Sequence, residues 1–351
     1  MTSPGSLVIF TKEFYGSYSL NEYVGHMEQL AKIHHLIESD GLERGNRIYM
    51  VSTGGGLDFT VNAERSFDIS DFSFRGVPLR WRSPNGDVNP KYHGEDPTSW
   101  GRSFPGGLFV TCGLTQFGAP NRDGDENLPQ HGHVSNLPAW NVHSQAVWQH
   151  SRYIMKLSAE IRQSHLFGER LVLYRTYSTE LGSTMVNIDD VVRNESNHSC
   201  PHMILYHFNL GFPLISLDTE LQFPVRRSEP QDTEAEKWMS GFREFGPPRE
   251  QFQEQVFLHE IEPDLSGIAS IHILNHRLKV DFCLEYPHEV LPYLYQWKMF
   301  EKGTYVLGIE PANCRGIHGR VKARENGTLR FLEPGQEVHY WLRVGIRNLE
   351  E

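Results

Sequence analysis

Apolar runs are short in this chain of 351 residues. None approaches the roughly 20 residues a spanning helix needs, so no transmembrane helix is expected. Residues 1–10 lack a basic start followed by an apolar core, which argues against a secretory leader and for a cytoplasmic protein. Basic residues are in deficit, with Lys plus Arg at 33 against Asp plus Glu at 44 and a net charge of −11. That balance disfavours nucleic acid and anionic membranes as general partners, and leaves room for a small anionic ligand on one local arginine. Cysteine is scarce: Cys112, Cys200, Cys283 and Cys314 lie far apart, with no CxxC pair, and read as buried free thiols. No repeat recurs at a fixed period. A chain of this length can bury a sizeable core without metal or disulfide support.

What the chain does have is glycine and proline at short intervals, with β-rich runs between them. Residues 47–52, 57–61, 107–112, 170–179, 203–210, 268–274, 279–284 and 338–344 read as strands, a pattern of sandwiches and barrels. Residues 21–35 carry apolar positions suited to a helix, or to a loop followed by a strand. Two polar, Pro-containing stretches, 83–105 and 228–254, read as long loops, either cleft lids or passive insertions.

One stretch stands out for chemistry. Tyr305-Val306-Leu307-Gly308-Ile309-Glu310-Pro311 is an apolar strand leading into a single carboxylate. Pro311 cannot donate to a ladder, so pairing should weaken there and leave Glu310 at a strand end facing a cleft. A carboxylate half out of water has a raised pKa, which suits a general base. Ile204-Leu205-Tyr206-His207-Phe208-Asn209-Leu210 puts His207 and Asn209 on one strand face, either as a hydrogen-bonded core histidine or as a general acid. His131-Gly132-His133 has the spacing of a metal HxH if it lies on a strand, but no carboxylate follows within ten residues. A polar cleft role for His131 fits better, and no metal is expected. Arg65 and Asp68 read either as a surface ion pair or as a fork for ligand oxygens. Trp81 and Trp140 offer flat faces for a sugar ring, or simply core area. Glu333, before Pro334-Gly335, belongs to a turn and carries no catalytic weight.

Four segments in this order resemble the aldose 1-epimerase (galactose mutarotase-like) superfamily, and its poorly characterised aldose 1-epimerase branch most of all. They are 65–84 (RSFDISDFSFRGVPLRWRSP), 107–139 (from GLFVTCGL through HGHVSNLPA), 205–214 (LYHFNLGFPL) and 297–314 (WKMFEKGTYVLGIEPANC). The likeness runs from about residue 24 to 346. It implies a mainly β fold, a large twisted antiparallel β-sandwich with few short helices and a carbohydrate cleft. It also implies a single domain over 1–351, with about 1–20 peripheral. The implied activity is mutarotation without a cofactor: Glu310 takes the anomeric proton, His207 protonates the ring oxygen, and the ring opens and recloses. By the same resemblance His131, Arg65, Asp68, Asn209, Trp81 and His133 would contact the sugar. Sugar-phosphate members carry HGFAR where this chain has His131-Gly132-His133-Val134-Ser135, so a non-phosphorylated monosaccharide is the expected partner. A fold leaves the reaction open. Another sugar epimerase, isomerase or lyase, metal-assisted or not, and a non-catalytic sugar-binding protein are the alternatives.

Overall fold

The computed structural model describes residues 11–94, 96 and 98–349. Residues 1–10, to which the leader argument and half of the expected peripheral segment refer, lie outside the described residues. No helix among the described residues is long and apolar enough to cross a membrane.

Three antiparallel sheets make up most of the structure. The first runs Lys32–Ile37, Arg47–Ser52, Leu57–Asn62, Asp68–Phe74 and Val77–Pro78. The second has eight strands, ordered Ala139–Gln149, Arg152–Ser164, Arg170–Glu180, Met185–Asn194, Glu337–Asn348, Val280–Pro287, Ile268–Asn275 and Thr219–Gln222. The third runs Val225–Pro230, Gln255–Ile261, Tyr293–Glu301, Thr304–Ala312 and Cys200–Gly211. Beyond these, Phe109–Leu114 and Arg330–Leu332 pair with different stretches of Cys200–Gly211.

Side-chain alternation explains the eight-stranded sheet. Along Arg152–Ser164, Tyr153, Met155, Leu157, Ala159, Ile161 and Gln163 are buried while the residues between them face outward. Cys200–Gly211 is different, being buried on nearly every residue. Ile204, Tyr206 and Phe208 enter the main core, whereas Met203 and Leu205 enter a second, smaller cluster with Trp100, Phe104, Val110, Tyr295 and Ala312. The third sheet thus has a core face and a covered outer face, and His207 and Asn209 belong to the outer one by period two.

The expected helix over 21–35 does not form. A four-residue helix, Leu20–Tyr23, and a 3-10 turn, Met27–Gln29, precede the strand Lys32–Ile37, which is the loop-then-strand alternative. His34 and His35 pair with Met50 and Tyr49, so sheet pairing overrides the helical spacing.

One buried ionic cluster joins the three sheets. Arg175 is fully buried and forks onto Asp190, with Nε to Oδ1 at 2.9 Å and Nη2 to Oδ2 at 2.6 Å. Its Nη1 donates to Asp68 and to the Ser66 carbonyl. The Thr111 backbone N–H and hydroxyl donate to the two Asp68 oxygens, and the Tyr206 hydroxyl donates to Asp190 at 2.7 Å. Removing one partner of such a cluster leaves uncompensated buried charge. Arg175→Met is expected to lower unfolding free energy by about 3–5 kcal/mol in urea titrations. A loss below about 1 kcal/mol would mean the cluster carries little of the fold.

Candidate active site

Cross-strand register sets the site. Thr304–Ala312 pairs with Cys200–Gly211 through Leu205↔Ala312, Phe208↔Ile309 and Asn209↔Gly308, and the same register sets His207 opposite Glu310. The ladder lapses on this side at those two residues and at Tyr206 and Pro311, between the pairs at Leu205 and Phe208. It is continuous on the other side, through Tyr295↔Glu310 and Leu294↔Pro311. The weakening expected at Pro311 therefore occurs on one edge only, and the strand runs on to Ala312. His207 Nε2 lies 3.3 Å from Glu310 Oε1, in contact without a hydrogen bond.

Gly308 makes this arrangement possible. A Cβ there would meet Glu310 Oε1 at 2.5 Å and Trp297 Cβ at 2.9 Å. The glutamate side chain lies back over the glycine two residues before it, beside the indole. His131 is brought in by a different device. It has φ of 57°, and its N–H donates to the Gly118 carbonyl at 2.9 Å. Gly132 follows with φ of 77°, where a Cβ would meet the carbonyls of Gln116 and Gly113 at 2.3 Å. The HGH segment is thus a tight left-handed turn rather than a strand, and its two histidines do not share a face. His131 is buried, and its ring centroid is 5.8 Å from that of His207; His133 is exposed. Among the described residues no group of three or more His, Cys, Asp or Glu could hold a metal ion.

Aromatic rings enclose the pair. Trp100 stacks on Phe104 with centroids 4.1 Å apart and lies 4.4 Å from the His131 ring. Phe104 lies 5.3 Å from His207, and Trp297 meets His207 edge-on at 5.6 Å. Trp81 meets Trp297 edge-on at 6.3 Å. Trp100 and Phe104 belong to the stretch 83–105, so that stretch covers the site. It is pinned by Ser83 Oγ on the Phe104 carbonyl at 2.5 Å and by a His93 Nδ1–Ser103 Oγ contact of 2.8 Å.

The other expected contact residues are distributed as follows. Asn209 is buried, donates to the His207 carbonyl at 2.7 Å and leaves its Oδ1 unpartnered. Both Asp68 oxygens are taken up by Thr111 and Arg175, so this carboxylate serves the ionic cluster and not a ligand fork. Arg65 is buried under the 83–93 stretch, donates to the Val88 carbonyl at 2.8 Å, and has Nε and Nη2 unpartnered. Its paired-surface reading therefore fails, and it makes no ion pair with Asp68. Trp140 is exposed on the strand Ala139–Gln149. Nothing in the sequence marks Trp100, Phe104, Trp297, Gly308 or Glu254 as site residues. The indole of Trp297 donates to Glu254 Oε2 at 3.1 Å.

Electrostatics follows from burial. Desolvation, then the Glu254 charge, pushes the Glu310 carboxyl up to about 8. Desolvation, then His131, pushes His207 down to about 3, and desolvation alone takes His131 to about 4. Across the span between those two values the pair holds one proton, and without a ligand burial puts it on Glu310. His131 Nδ1, His207 Nδ1, Glu310 Oε1, Asn209 Oδ1 and Trp100 Nε1 all lack hydrogen-bond partners. Buried polar atoms are rarely left so, and five gathered around the covered face of one sheet call for a polar ligand.

A family profile described as "Domain of unknown function (DUF4432)" matches residues 43–346. The chain belongs to the DUF4432 family. No curated protein matches its sequence. Among solved structures, this DUF4432 protein is similar to a candidate aldose 1-epimerase from Klebsiella pneumoniae, with TM-score 0.87 and 21% identity, covering 92% of this chain and 87% of that one. It is similar to a galactose mutarotase-like protein from Clostridium acetobutylicum, with TM-score 0.64, 13% identity and coverage of 91% and 99%. It is also similar to a galactose 1-epimerase from Lactobacillus acidophilus, with TM-score 0.60, 11% identity and coverage of 91% and 99%. The chain has the galactose mutarotase-like β-sandwich fold.

The raised Glu310 pKa has a consequence for stability. The folded carboxyl binds its proton more tightly than the unfolded one, so stability falls as pH rises from the unfolded value through about 8. Glu310→Gln removes that penalty. The variant's Tm is expected to exceed the wild-type value by more at pH 9 than at pH 5, measured by calorimetry. An equal difference at both pH values would contradict the buried-acid assignment.

Proposed function

We propose that this protein is an aldose 1-epimerase acting on a non-phosphorylated monosaccharide. The observation that carries the reading is the Glu310–His207 contact on a covered sheet face lined with aromatic rings and unpartnered polar atoms. Anomer exchange needs one proton taken from the anomeric hydroxyl and one given to the ring oxygen. A pair that carries a single proton meets this requirement, and ring closure returns the proton with the roles reversed. Sugar hydroxyls donating to Glu310 stabilise its carboxylate and favour the form in which His207 holds the proton. Glu310 is then the base and His207 the acid. His131 and Asn209 offer the sugar their unpartnered atoms, and Trp81 and Trp297 offer apolar surface. Arg65 and His133 remain proposed contacts reached from the side of the 83–93 stretch. The reaction is slow but proceeds in water, so the roughly 10²–10⁴ that each positioned acid or base supplies is enough.

Trp100 and Phe104, 6.1 and 5.3 Å from the His207 ring, border the side from which a sugar would approach the pair.

Glu310→Gln is expected to abolish acceleration of anomer exchange, followed by polarimetry, while sugar binding persists by calorimetry. His207→Ala should lower turnover more than affinity. Full activity in either variant removes that residue from the mechanism. The kcat/KM profile of the wild type should fall above pH about 8, where Glu310 loses the shared proton. A flat profile to pH 10 would contradict the single-proton pair.

A further inference from the structure

Glu254 closes the polar stretch 228–254 and stands just before the strand Gln255–Ile261. Its side chain is exposed, yet Oε2 accepts the Trp297 indole N–H at 3.1 Å. Trp297 is half-buried and stands opposite Gly308 in the ladder. Its Cβ and ring border the space above Gly308 into which the Glu310 carboxyl folds back. The same ring meets His207 edge-on at 5.6 Å. One indole therefore has an exposed carboxylate at its N–H edge and the acid–base pair against its inner side.

We infer that Glu254 is a positioning residue of this site, holding Trp297 as the wall of the Glu310–His207 pair and placing a fixed negative charge behind it. The inference rests on the proposed function for its kinetic arm only. Rotation of an unheld indole would open the wall and let water reach Glu310, which ends the desolvation that sets its proton affinity. The charge acts in the same direction. A carboxylate behind Glu310 disfavours a second negative charge there, and it is the one charged neighbour that adds to burial in raising the Glu310 pKa. The other titratable groups facing Glu310 are His207 from Cys200–Gly211, Tyr295 from Tyr293–Glu301 and Cys112 from Phe109–Leu114. Burial raises the Tyr295 and Cys112 pKa values and lowers that of His207, so all three are neutral near pH 7. Glu254 is then the charge left to vary.

Two variants separate holding from charge. Glu254→Gln keeps an acceptor for the indole and removes the charge, whereas Glu254→Ala removes both. Glu310 protonation is read directly, from the infrared carboxylic-acid band that Glu310→Gln abolishes, titrated with pH. Glu254→Gln is expected to lower the midpoint by about half a unit at low salt, the scale of one solvent-screened charge, and by less at high salt. Glu254→Ala should lower it further and red-shift tryptophan emission as the indole is freed. In anomer exchange, Glu254→Gln should recover most of the turnover lost in Glu254→Ala, with the upper limb of its kcat/KM profile moved to lower pH. An unmoved midpoint in both variants overturns the inference. A moved midpoint in a protein that exchanges no anomers upholds the positioning role and overturns the proposed function.

Discussion

A buried carboxyl and a buried imidazole held 3.3 Å apart must settle between them who carries a proton. In water each would ionise independently near its ordinary value. Here desolvation raises one and lowers the other until the pair carries a single proton across the neutral range. The rest of the site serves that condition. Gly308 makes room for the carboxyl, and Trp100, Phe104 and Trp297 keep solvent away. The ladder lapse beside Pro311 coincides with the pair itself. Elsewhere in the fold such a lapse would weaken a sheet; here it falls between two residues whose side chains, rather than backbones, have work to do.

The core beneath the site is built to hold that geometry. Tyr206, adjacent to His207 in the chain, points to the opposite face and is tied to Asp190, which is tied to Arg175 and through it to Asp68. Thr111, the register partner of Tyr206 on Phe109–Leu114, completes the connection. Strands from all three sheets thus meet under the strand that carries His207. Asp68 contributes by anchoring the scaffold, its oxygens taken up by Thr111 and Arg175.

The sequence carried the pair in readable form because both residues break an apolar strand. Glu310 and His207 are polar interruptions in buried runs, and that contrast survives without coordinates. The covering residues carry no such contrast. Trp100 and Phe104 sit in a Pro- and Gly-rich stretch without periodicity, and the approach of Trp100 to His131 and of Phe104 to His207 depends on how the loop folds back. Glu254 looks like any surface carboxylate until Trp297 is found beside it. Among the strands, Arg152–Ser164 alternates cleanly but is spelled with Met, Lys, Leu, Ala and Glu, residues of helical preference. Of the two readings that 21–35 allows, the structure has the loop followed by a strand, since pairing with Arg47–Ser52 outweighs helical spacing there. The HxH spacing would align His131 and His133 only on a strand, whereas His131 and Gly132 form a left-handed turn.

The most direct measurement is the rate of anomer exchange in a panel of neutral monosaccharides, followed by NMR exchange spectroscopy with the wild-type protein at pH 7. The account predicts that at least one sugar exchanges its anomers far faster with the protein than in buffer, at catalytic protein concentrations and without any added cofactor. Binding of such a sugar with exchange left at the buffer rate would contradict it.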